Sequence, residues 1–258
     1  MITRFSCARL ASLAATAALV TQLALPAAGQ TLPQSPLPRV VSGTAPAGLQ
    51  TAADAPARPI VYRQNPRGTP GTRIIGQTRG TGTVPLLTTL APFDTGETTL
   101  AQPTLYWFVS RPVNAMVEVT IVEEATQKTV LEVTTEGPVE PGIWAFPLGV
   151  HRIALVPDVE YRWSVALVRD QNRRSLDLFA SGTILRVNLP PHLSAQLNKV
   201  GPAEMPYFLA NTGLWYDALT MLSVQIANNP RDRTLRETRA SLLEQVGLSE
   251  AAAFDRVL

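Results

Sequence analysis

Cysteine is almost absent from this chain of 258 residues, because Cys7 is the only one. A single cysteine can form no disulfide within the chain and no thiolate metal site. The two histidines, His151 and His192, are far apart in the sequence and give no ligand cluster of recognisable spacing. We therefore predict no metal and no other cofactor, and we expect stability to come from burial alone.

Acidic residues are absent from residues 1–29, which predict a cleavable secretory signal peptide. Arg4 and Arg9 form a charged beginning, an apolar run follows from Leu10 to Leu25, and Ala27 to Gly29 supply a small-residue cleavage site. The apolar run has about 16 residues and includes polar ones, which is short for a bilayer span. We expect export to the periplasm or the extracellular space, with no stable membrane anchor after cleavage.

Removal of this peptide leaves little net charge. The whole chain has 22 Lys plus Arg and 20 Asp plus Glu, and the signal peptide contains two of the arginines, so the remainder is 20 against 20. A neutral protein lacks the basic surface that is typical of nucleic-acid binding, and we predict no nucleic-acid partner. About 229 residues remain, enough for one medium domain with a tail or for two small domains.

Residues 30–66 are rich in Pro, Ala, Ser, Thr and Gln and predict a disordered leader. A segment rich in Gly and Arg follows, from residue 67, and we expect it to pack as a strap on the next domain. Between Asp54 and Asp94 there is no acidic residue, although five arginines occur there. The strap arginines have two interpretations: they are solvated or paired with the adjacent domain, or Arg67, Arg73 and Arg79 bind an anionic polymer of the cell envelope.

Alternating apolar residues predict seven short strands within the domain at 67–189. Seven strands in about a hundred residues favour a β-sandwich of the immunoglobulin or fibronectin type III kind. Leu155, Pro157 and Tyr161 have the spacing of the tyrosine corner of fibronectin type III domains, in which the Tyr hydroxyl bonds to the backbone. The predicted strands are Leu86–Leu90, Leu100–Val109, Met116–Glu123, Thr129–Thr135, Ile143–Leu148, Tyr161–Val168 and Phe179–Val187.

The last segment, 190–258, has helical periodicity and predicts a short tetratricopeptide-like module. Phe208, Leu209, Gly213 and Ala218 recur 34 residues later as Leu242, Leu243, Gly247 and Ala252, which is the period of that repeat. Two repeats are fewer than the three that usually form an independent solenoid. We therefore expect this module to dock on the sandwich or on a partner.

Several short motifs together resemble a family of secreted bacterial proteins catalogued as domain of unknown function 928. The resemblance implies no known activity. Members often have two cysteines where this chain has Thr81 to Thr83 and Arg169, so the differences are those expected if one disulfide were lost. The motifs are Arg67-Gly68-x-Pro70-Gly71-x-Arg73, Thr78-Arg79-Gly80, Pro103-Thr104-x-Tyr106-Trp107-Phe108-Val109, Pro141-Gly142-Ile143, Tyr161-Arg162-Trp163 and Gly213-Leu214-Trp215-Tyr216-Asp217-Ala218.

No catalytic motif accompanies these features. There is no Gly-x-Ser-x-Gly, and His151 lies far in the sequence from any strand-to-helix elbow, so we expect neither His151 nor His192 to be catalytic. Carboxylates are scattered, although distant ones could still converge in the fold as a glycosidase pair does. All four tryptophans have apolar neighbours in predicted strands or helices and predict core positions, with Trp144 the least certain.

Three functional hypotheses follow. The first is an exported, non-catalytic envelope protein that scaffolds or binds a protein or peptide through a groove of the helical module, with Trp215 and Tyr216 as partner-binding residues. The second is a binder of an envelope polysaccharide or anionic polymer through Arg67, Arg73, Arg79 and Trp144. The third is an unrecognised hydrolase, and our prediction is that the protein is not an enzyme.

Overall fold

The computed structural model describes residues 3–4, 59–65, 68, 73, 75–76 and 84–258 of the chain. Most of the predicted signal peptide and leader lies outside these residues, as do Arg67, Arg79 and Thr81 to Thr83. The described chain combines β-sheets with α-helices, as the sequence predicts.

Ten strands form two five-stranded sheets among the described residues. The first sheet has the order β1-β8-β5-β3-β2 and the second the order β4-β10-β9-β6-β7. Every neighbouring pair is antiparallel except β4 with β10, which is parallel. In chain order the strands are β1 (Thr3–Arg4), β2 (Ile75–Gly76), β3 (Leu87–Thr89), β4 (Gly96–Thr98), β5 (Thr104–Val109), β6 (Met116–Glu123), β7 (Thr129–Thr135), β8 (Gly142–Pro147), β9 (Glu160–Val168) and β10 (Leu178–Arg186).

Each of the seven predicted strands corresponds to an observed strand, and β6 and β7 have the predicted ends. The alternation is clear in β9, where Tyr161, Trp163 and Val165 are buried and Arg162 and Ser164 are half-buried. Strand β4 was not predicted. Its three residues, Gly96, Glu97 and Thr98, include no apolar side chain, so the apolar pattern that identified the other strands is missing.

The first sheet is covered on both faces. On one face, the Thr89 hydroxyl of β3 donates a hydrogen bond of 2.9 Å to the Ser181 carbonyl oxygen of β10, in the second sheet. On the other face, the ring of Phe108 in β5 lies 5.3 Å from the ring of Phe254 in the C-terminal helical segment. The first sheet is therefore a middle layer between the second sheet and helices, and its apolar side chains need no alternation to be buried.

The predicted tyrosine hydrogen bond is present at the start of β9. The Val156 backbone N–H donates to the Tyr161 hydroxyl oxygen at 3.3 Å, and Tyr161 is buried. This contact fixes the loop before β9 to the strand itself, so Tyr161 has a structural role.

Five α-helices follow the sheets, and four of them form two hairpins. Helix α2 packs on α3, α3 on α4, and α4 on α5. The Asp232 side chain accepts a hydrogen bond of 2.9 Å from the Thr234 N–H and caps α4. The helices are α1 (Pro191–Leu197), α2 (Met205–Asn211), α3 (Trp215–Asn228), α4 (Arg233–Glu244) and α5 (Ser249–Arg256).

The two hairpins have equivalent turns 34 residues apart. Gly213 lies between α2 and α3 with φ of 86°, and Gly247 lies between α4 and α5 with φ of 73°. The Leu214 N–H bonds to the Leu209 carbonyl at 2.9 Å, and the Leu248 N–H bonds to the Leu243 carbonyl at 3.1 Å. The recurrence seen in the sequence therefore corresponds to a recurrence of backbone geometry.

Alanine substitutions at three glycines should separate backbone strain from steric crowding. Gly247→Ala is expected to cost about 1–2 kcal/mol of unfolding free energy, because its positive φ disfavours a side chain. Gly213→Ala should cost more, about 3 kcal/mol, because its Cβ would also lie 2.4 Å from Asn65 Nδ2 and 2.9 Å from the Arg63 carbonyl oxygen. Gly201→Ala is the control, since nothing lies within 4 Å of its Cβ. Chemical denaturation measures all three, and equal losses would contradict the explanation.

Candidate functional site

The junction between the helices and the sheets contains a cluster of hydrogen bonds from the start of α3. Trp215, Tyr216 and Asp217 begin α3, and each of them bonds to a different part of the two sheets or their loops. Gly213 supplies the turn that directs these three side chains toward the sheets. The motif Gly213-Leu214-Trp215-Tyr216-Asp217 is thus a docking motif within the chain.

Trp215 and Tyr216 are completely buried, which corrects the prediction that they face a groove open to a partner. Trp215 Nε1 donates to the Leu90 carbonyl oxygen at 2.8 Å. The Tyr216 hydroxyl donates to the Thr183 carbonyl oxygen at 2.9 Å and accepts from Trp163 Nε1 at 2.8 Å. Both aromatic residues therefore join α3 to the sheets, and neither reaches the surface.

Gly96 makes room for the Tyr216 ring. A Cβ at position 96 would lie 2.7 Å from Tyr216 Cε2, which is closer than real Cβ atoms approach another heavy atom. Because Gly96 has no side chain, the first position of β4 contributes a gap to the junction. Burial raises the pKa of Tyr216, so its hydroxyl keeps its proton and remains a donor.

Asp217 connects α3 to the loop after β4. The carboxylate accepts a hydrogen bond from the Thr98 hydroxyl, one of 2.9 Å from the Thr99 N–H and one of 2.5 Å from the Thr99 hydroxyl. Burial raises the pKa of this carboxyl, and the hydrogen bonds from Thr98 and Thr99 oppose that change. The carboxylate therefore attaches the end of β4 and the following loop to α3.

The raised pKa of Asp217 predicts a pH-dependent stability. Above about pH 3.8, its ordinary pKa, the unfolded chain loses this proton before the folded chain does, so stability falls as pH rises toward the folded pKa. Asp217→Asn should remove this component, with a slope of up to about 1.4 kcal/mol per pH unit. Urea denaturation of both proteins between pH 3 and 8 measures it, and parallel curves for the two would contradict the assignment.

An extended segment of the chain's own N-terminal part, residues 59–65, crosses the helices at this junction. Gln245 Nε2 donates to the Ile60 carbonyl oxygen at 3.0 Å, and Gln245 Oε1 accepts from the Tyr62 N–H at 2.9 Å. The Arg63 N–H donates to the Ala210 carbonyl oxygen at 3.1 Å. A glutamine amide that bonds both a donor and an acceptor of one extended backbone imitates a neighbouring β-strand.

Side chains add to this attachment. Ile60 is buried, and the Tyr62 ring meets Trp215 edge-on at 4.9 Å between centroids. Asn65 Nδ2 donates to Glu97 Oε2 at 2.8 Å. The sequence assigned these residues to the disordered leader, whereas here they have defined contacts; the apolar triplet Ile60-Val61-Tyr62 is the signal that could have indicated this.

The arginines and the tryptophan predicted to bind a polymer are placed as follows. Arg73 Nη1 donates to the Ala91 and Val246 carbonyl oxygens at 2.9 and 2.8 Å, so this arginine connects the strap to the first sheet's loop and to the α4–α5 turn. Burial lowers its pKa. Trp144 is half-buried on β8, and Arg67 and Arg79 lie outside the described residues. For Arg73, the contacts are those of the paired interpretation.

The remaining candidates are the two histidines, possible metal ligands and a surface cleft. The His151 ring stacks on Phe146 at 4.3 Å between centroids, and burial lowers its pKa. His192 is exposed at the start of α1. Within the described ranges, no group of three His, Cys, Asp or Glu side chains could hold a metal ion. A shallow cleft of about 110 Å³ lies between β3 and the α4–α5 turn, lined by Leu86, Thr88 and residues 247–251.

Comparison with known families identifies the chain. The model of the family described as Domain of Unknown Function (DUF928) matches residues 71–254, which is more than half of the chain. The chain belongs to this DUF928 family. The match includes the docking motif at the start of α3 and both helical hairpins, and it confirms the resemblance that the sequence motifs indicated.

Two solved structures are similar to this DUF928 chain at low sequence identity. Astrotactin-2, a vertebrate-specific and perforin-like membrane protein, is 12% identical over 67% of this chain and 38% of that chain, with a TM-score of 0.27. A multi-domain immunophilin from Arabidopsis thaliana is 7% identical over 67% of this chain and 92% of that chain, with a TM-score of 0.16. No curated protein sequence matches. Among the described residues, none of the helices is both long and apolar enough to cross a membrane.

Proposed function

We propose that the protein is an exported, non-catalytic envelope protein that binds or scaffolds a protein partner. In this proposal the two sheets are a β-sandwich of the fibronectin type III kind, and α2 to α5 are two tetratricopeptide-like repeats. The tyrosine hydrogen bond at Tyr161 and the equivalent glycine turns at Gly213 and Gly247 support those relationships.

One observation carries the proposal: the helical unit binds an extended polypeptide. Residues 59–65 are attached by hydrogen bonds between backbone and side chains, and above all by both sides of the Gln245 amide. Bonds to the backbone depend little on sequence, while the Tyr62 contact with Trp215 adds an aromatic anchor. A partner segment of the same chemistry, extended and with an aliphatic residue two positions before an aromatic one, would compete for this surface.

The proposal is tested by releasing the chain's own segment. Tyr62→Ala removes the aromatic anchor of the chain's own segment and leaves Gln245 and Trp215 for a partner, so it should increase recovery of the partner several-fold when the exported protein is cross-linked in its producing cells and purified. Val61→Ala is the matched control, because this neighbouring side chain of the same segment is exposed. Equal recovery with both variants, or no partner that rebinds in purified form at a fixed stoichiometry, would contradict the proposal.

A second candidate is a binder of an envelope polysaccharide. The half-buried indole of Trp144 favours it, since an aromatic face at a sheet edge can stack on a sugar ring. Binding of the exported protein to envelope polysaccharide fractions should then fall at least tenfold with Trp144→Ala and remain unchanged with Trp215→Phe. Binding that is equal in the two variants would exclude this candidate.

A further inference from the structure

Residues 59–65, which we call the lid, cross the junction without belonging to a helix or a strand. Four of the seven residues are exposed, and apolar burial is concentrated in the side chains of Ile60 and Tyr62. Ordering the lid costs conformational entropy at every residue, whereas only these two side chains contribute apolar burial to offset it. The closed lid is therefore only weakly favoured over a released one.

The backbone bonds of the lid belong to no sheet. The Gln245 amide bonds to the Ile60 carbonyl oxygen and to the Tyr62 N–H, and the Ala210 carbonyl oxygen accepts from the Arg63 N–H. Breaking these bonds interrupts no helix and no pairing between strands. A segment attached in this way can open locally while the rest of the protein stays folded.

Side-chain amides fasten the C-terminal end of the lid. Gln64 Nε2 donates to Asp94 Oδ2 at 2.6 Å, at the surface, and Asn65 Nδ2 donates to Glu97 Oε2 at 2.8 Å. These bonds give the closed lid a defined position over the same face of the junction. On opening, water can replace them, so each adds only a modest net free energy to closure.

The surface beneath the lid is held by bonds that do not involve the lid. Gln245 Nε2 also donates to the Ser241 carbonyl oxygen at 3.0 Å, within α4 and its end. Trp215 Nε1 donates to the Leu90 carbonyl oxygen at 2.8 Å. The glutamine amide and the indole therefore keep their positions when the lid leaves, and they are ready to receive an extended chain.

We propose that the lid opens as a unit while the two sheets and α2 to α5 remain folded, and that its opening uncovers the Trp215 ring and the Gln245 amide. In the closed state the lid occupies the surface that an extended partner would use. This inference rests on the proposed function and adds the regulation of that surface. The apparent affinity for a partner is reduced by the low fraction of molecules in which the lid is open.

Native-state hydrogen exchange of the exported protein, with no partner present, tests the opening. The reporters are the amides of Tyr62 and Arg63, which bond to Gln245 and Ala210. Both should exchange at least about 100-fold faster than the slowest amides of β9, at rates that hardly change with low urea, because local opening exposes little surface. Protection equal to that of β9, with the same dependence on urea, would overturn the proposal.

Two variants of neighbouring lid residues show what holds the lid closed. Tyr62→Ala removes the ring that contacts Trp215 and should speed exchange at the Arg63 amide at least tenfold, after correction for intrinsic rates. Val61→Ala changes an exposed side chain and should leave that rate unchanged. Unchanged β9 amides in both variants show that the domain stays folded. An equal effect of the two substitutions would contradict a lid closed by Tyr62.

The exchange measurements need no partner, so they separate this inference from the proposed function. Lid amides that exchange only by global unfolding would contradict the lid even if a partner is recovered. A lid that opens locally, with no partner recovered, would contradict the proposed function alone. Saturation with a recovered partner should speed exchange at Tyr62 and Arg63 at least tenfold, because the bound partner holds the lid open, and unchanged exchange would overturn the regulation.

Discussion

Replacing Asp255 with alanine is expected to lower the free energy of unfolding by about 3–5 kcal/mol. Asp255 lies in α5 and has no exposed surface. Its carboxylate accepts hydrogen bonds from Arg239 Nε at 2.7 Å and Arg239 Nη2 at 2.6 Å, and from Arg236 Nη1 at 3.4 Å. Without it, two buried guanidinium groups of α4 would remain close together with no negative charge between them.

This buried ion group connects three helices. Arg239 Nη1 also donates to the Ser223 hydroxyl of α3 at 3.0 Å, so the guanidinium joins α3, α4 and α5. Loss of Asp255 would therefore loosen the contact between the two helical hairpins as well as the turn between α4 and α5. Urea denaturation followed by circular dichroism measures the loss.

The control for Asp255→Ala is an exposed ion pair between the same two helices. Glu237 of α4 pairs with Arg256 of α5 at 2.8 Å, with more than half of the Glu237 side chain exposed. Glu237→Ala should cost less than about 1 kcal/mol, since solvent already screens the charges. If Asp255→Ala and Glu237→Ala lower the free energy of unfolding by similar amounts, the buried ion pair does not stabilise the protein more than the exposed one.

The strands were predictable because burial on one face imposes a period of two on the sequence. Strand β9 shows this pattern and was located from it. Strand β4 was not, because its Gly96, Glu97 and Thr98 include no apolar side chain although all three residues are buried. Short strands whose role is to make room for other residues, as Gly96 does for Tyr216, lack a periodic signal.

The attachment of residues 59–65 was not predictable for a related reason. Their contacts reach Ala210 and Gln245, about 150 to 185 positions away, and depend largely on backbone groups that every sequence possesses. Composition correctly describes a segment that cannot form its own core. It does not reveal that another part of the chain supplies the bonding partners.

The sequence indicated the turns of the helical repeat, but it did not indicate the buried ion pair. Positive φ at Gly213 and Gly247 follows from the recurrent glycine. The Arg239–Asp255 pair is different, because the two residues are 16 positions apart and meet only when α4 and α5 fold back on each other. An arginine and an aspartate on polar helices are usually solvated, so sequence alone gives no reason to bury them.

Trp215 was predicted to bind a partner because it lies in a helical module with fewer repeats than an independent solenoid usually has. An incomplete repeat must cover its apolar face with something, and the alternative that the sequence analysis left open was the sheet domain. The structure places the Trp215 ring against Tyr62, with its N–H bonded to the Leu90 carbonyl oxygen. The aromatic residues of the motif therefore pack against other parts of the same chain.

Docking within the chain and binding of a partner predict different effects on stability when the Trp215 side chain is removed. Trp215→Ala is expected to lower the free energy of unfolding by about 3–5 kcal/mol, because the substitution leaves a large cavity and an unpaired carbonyl at Leu90. Trp215→Phe, which keeps most of the ring and loses the N–H, should cost about 1–2 kcal/mol. A residue that served only a partner would leave stability unchanged in both variants.

Trp144→Ala is the matched comparison for Trp215→Ala, because it removes the same side chain from a half-buried edge position. Its cost should be about 1–2 kcal/mol, since little cavity forms where solvent already reaches the ring. Thermal and urea denaturation of the three variants give the order Trp215→Ala, then Trp144→Ala and Trp215→Phe together. If Trp144→Ala proves the more damaging, α3 is not fixed to the sheets by Trp215, and the docking role assigned to the motif at residues 213–217 is wrong.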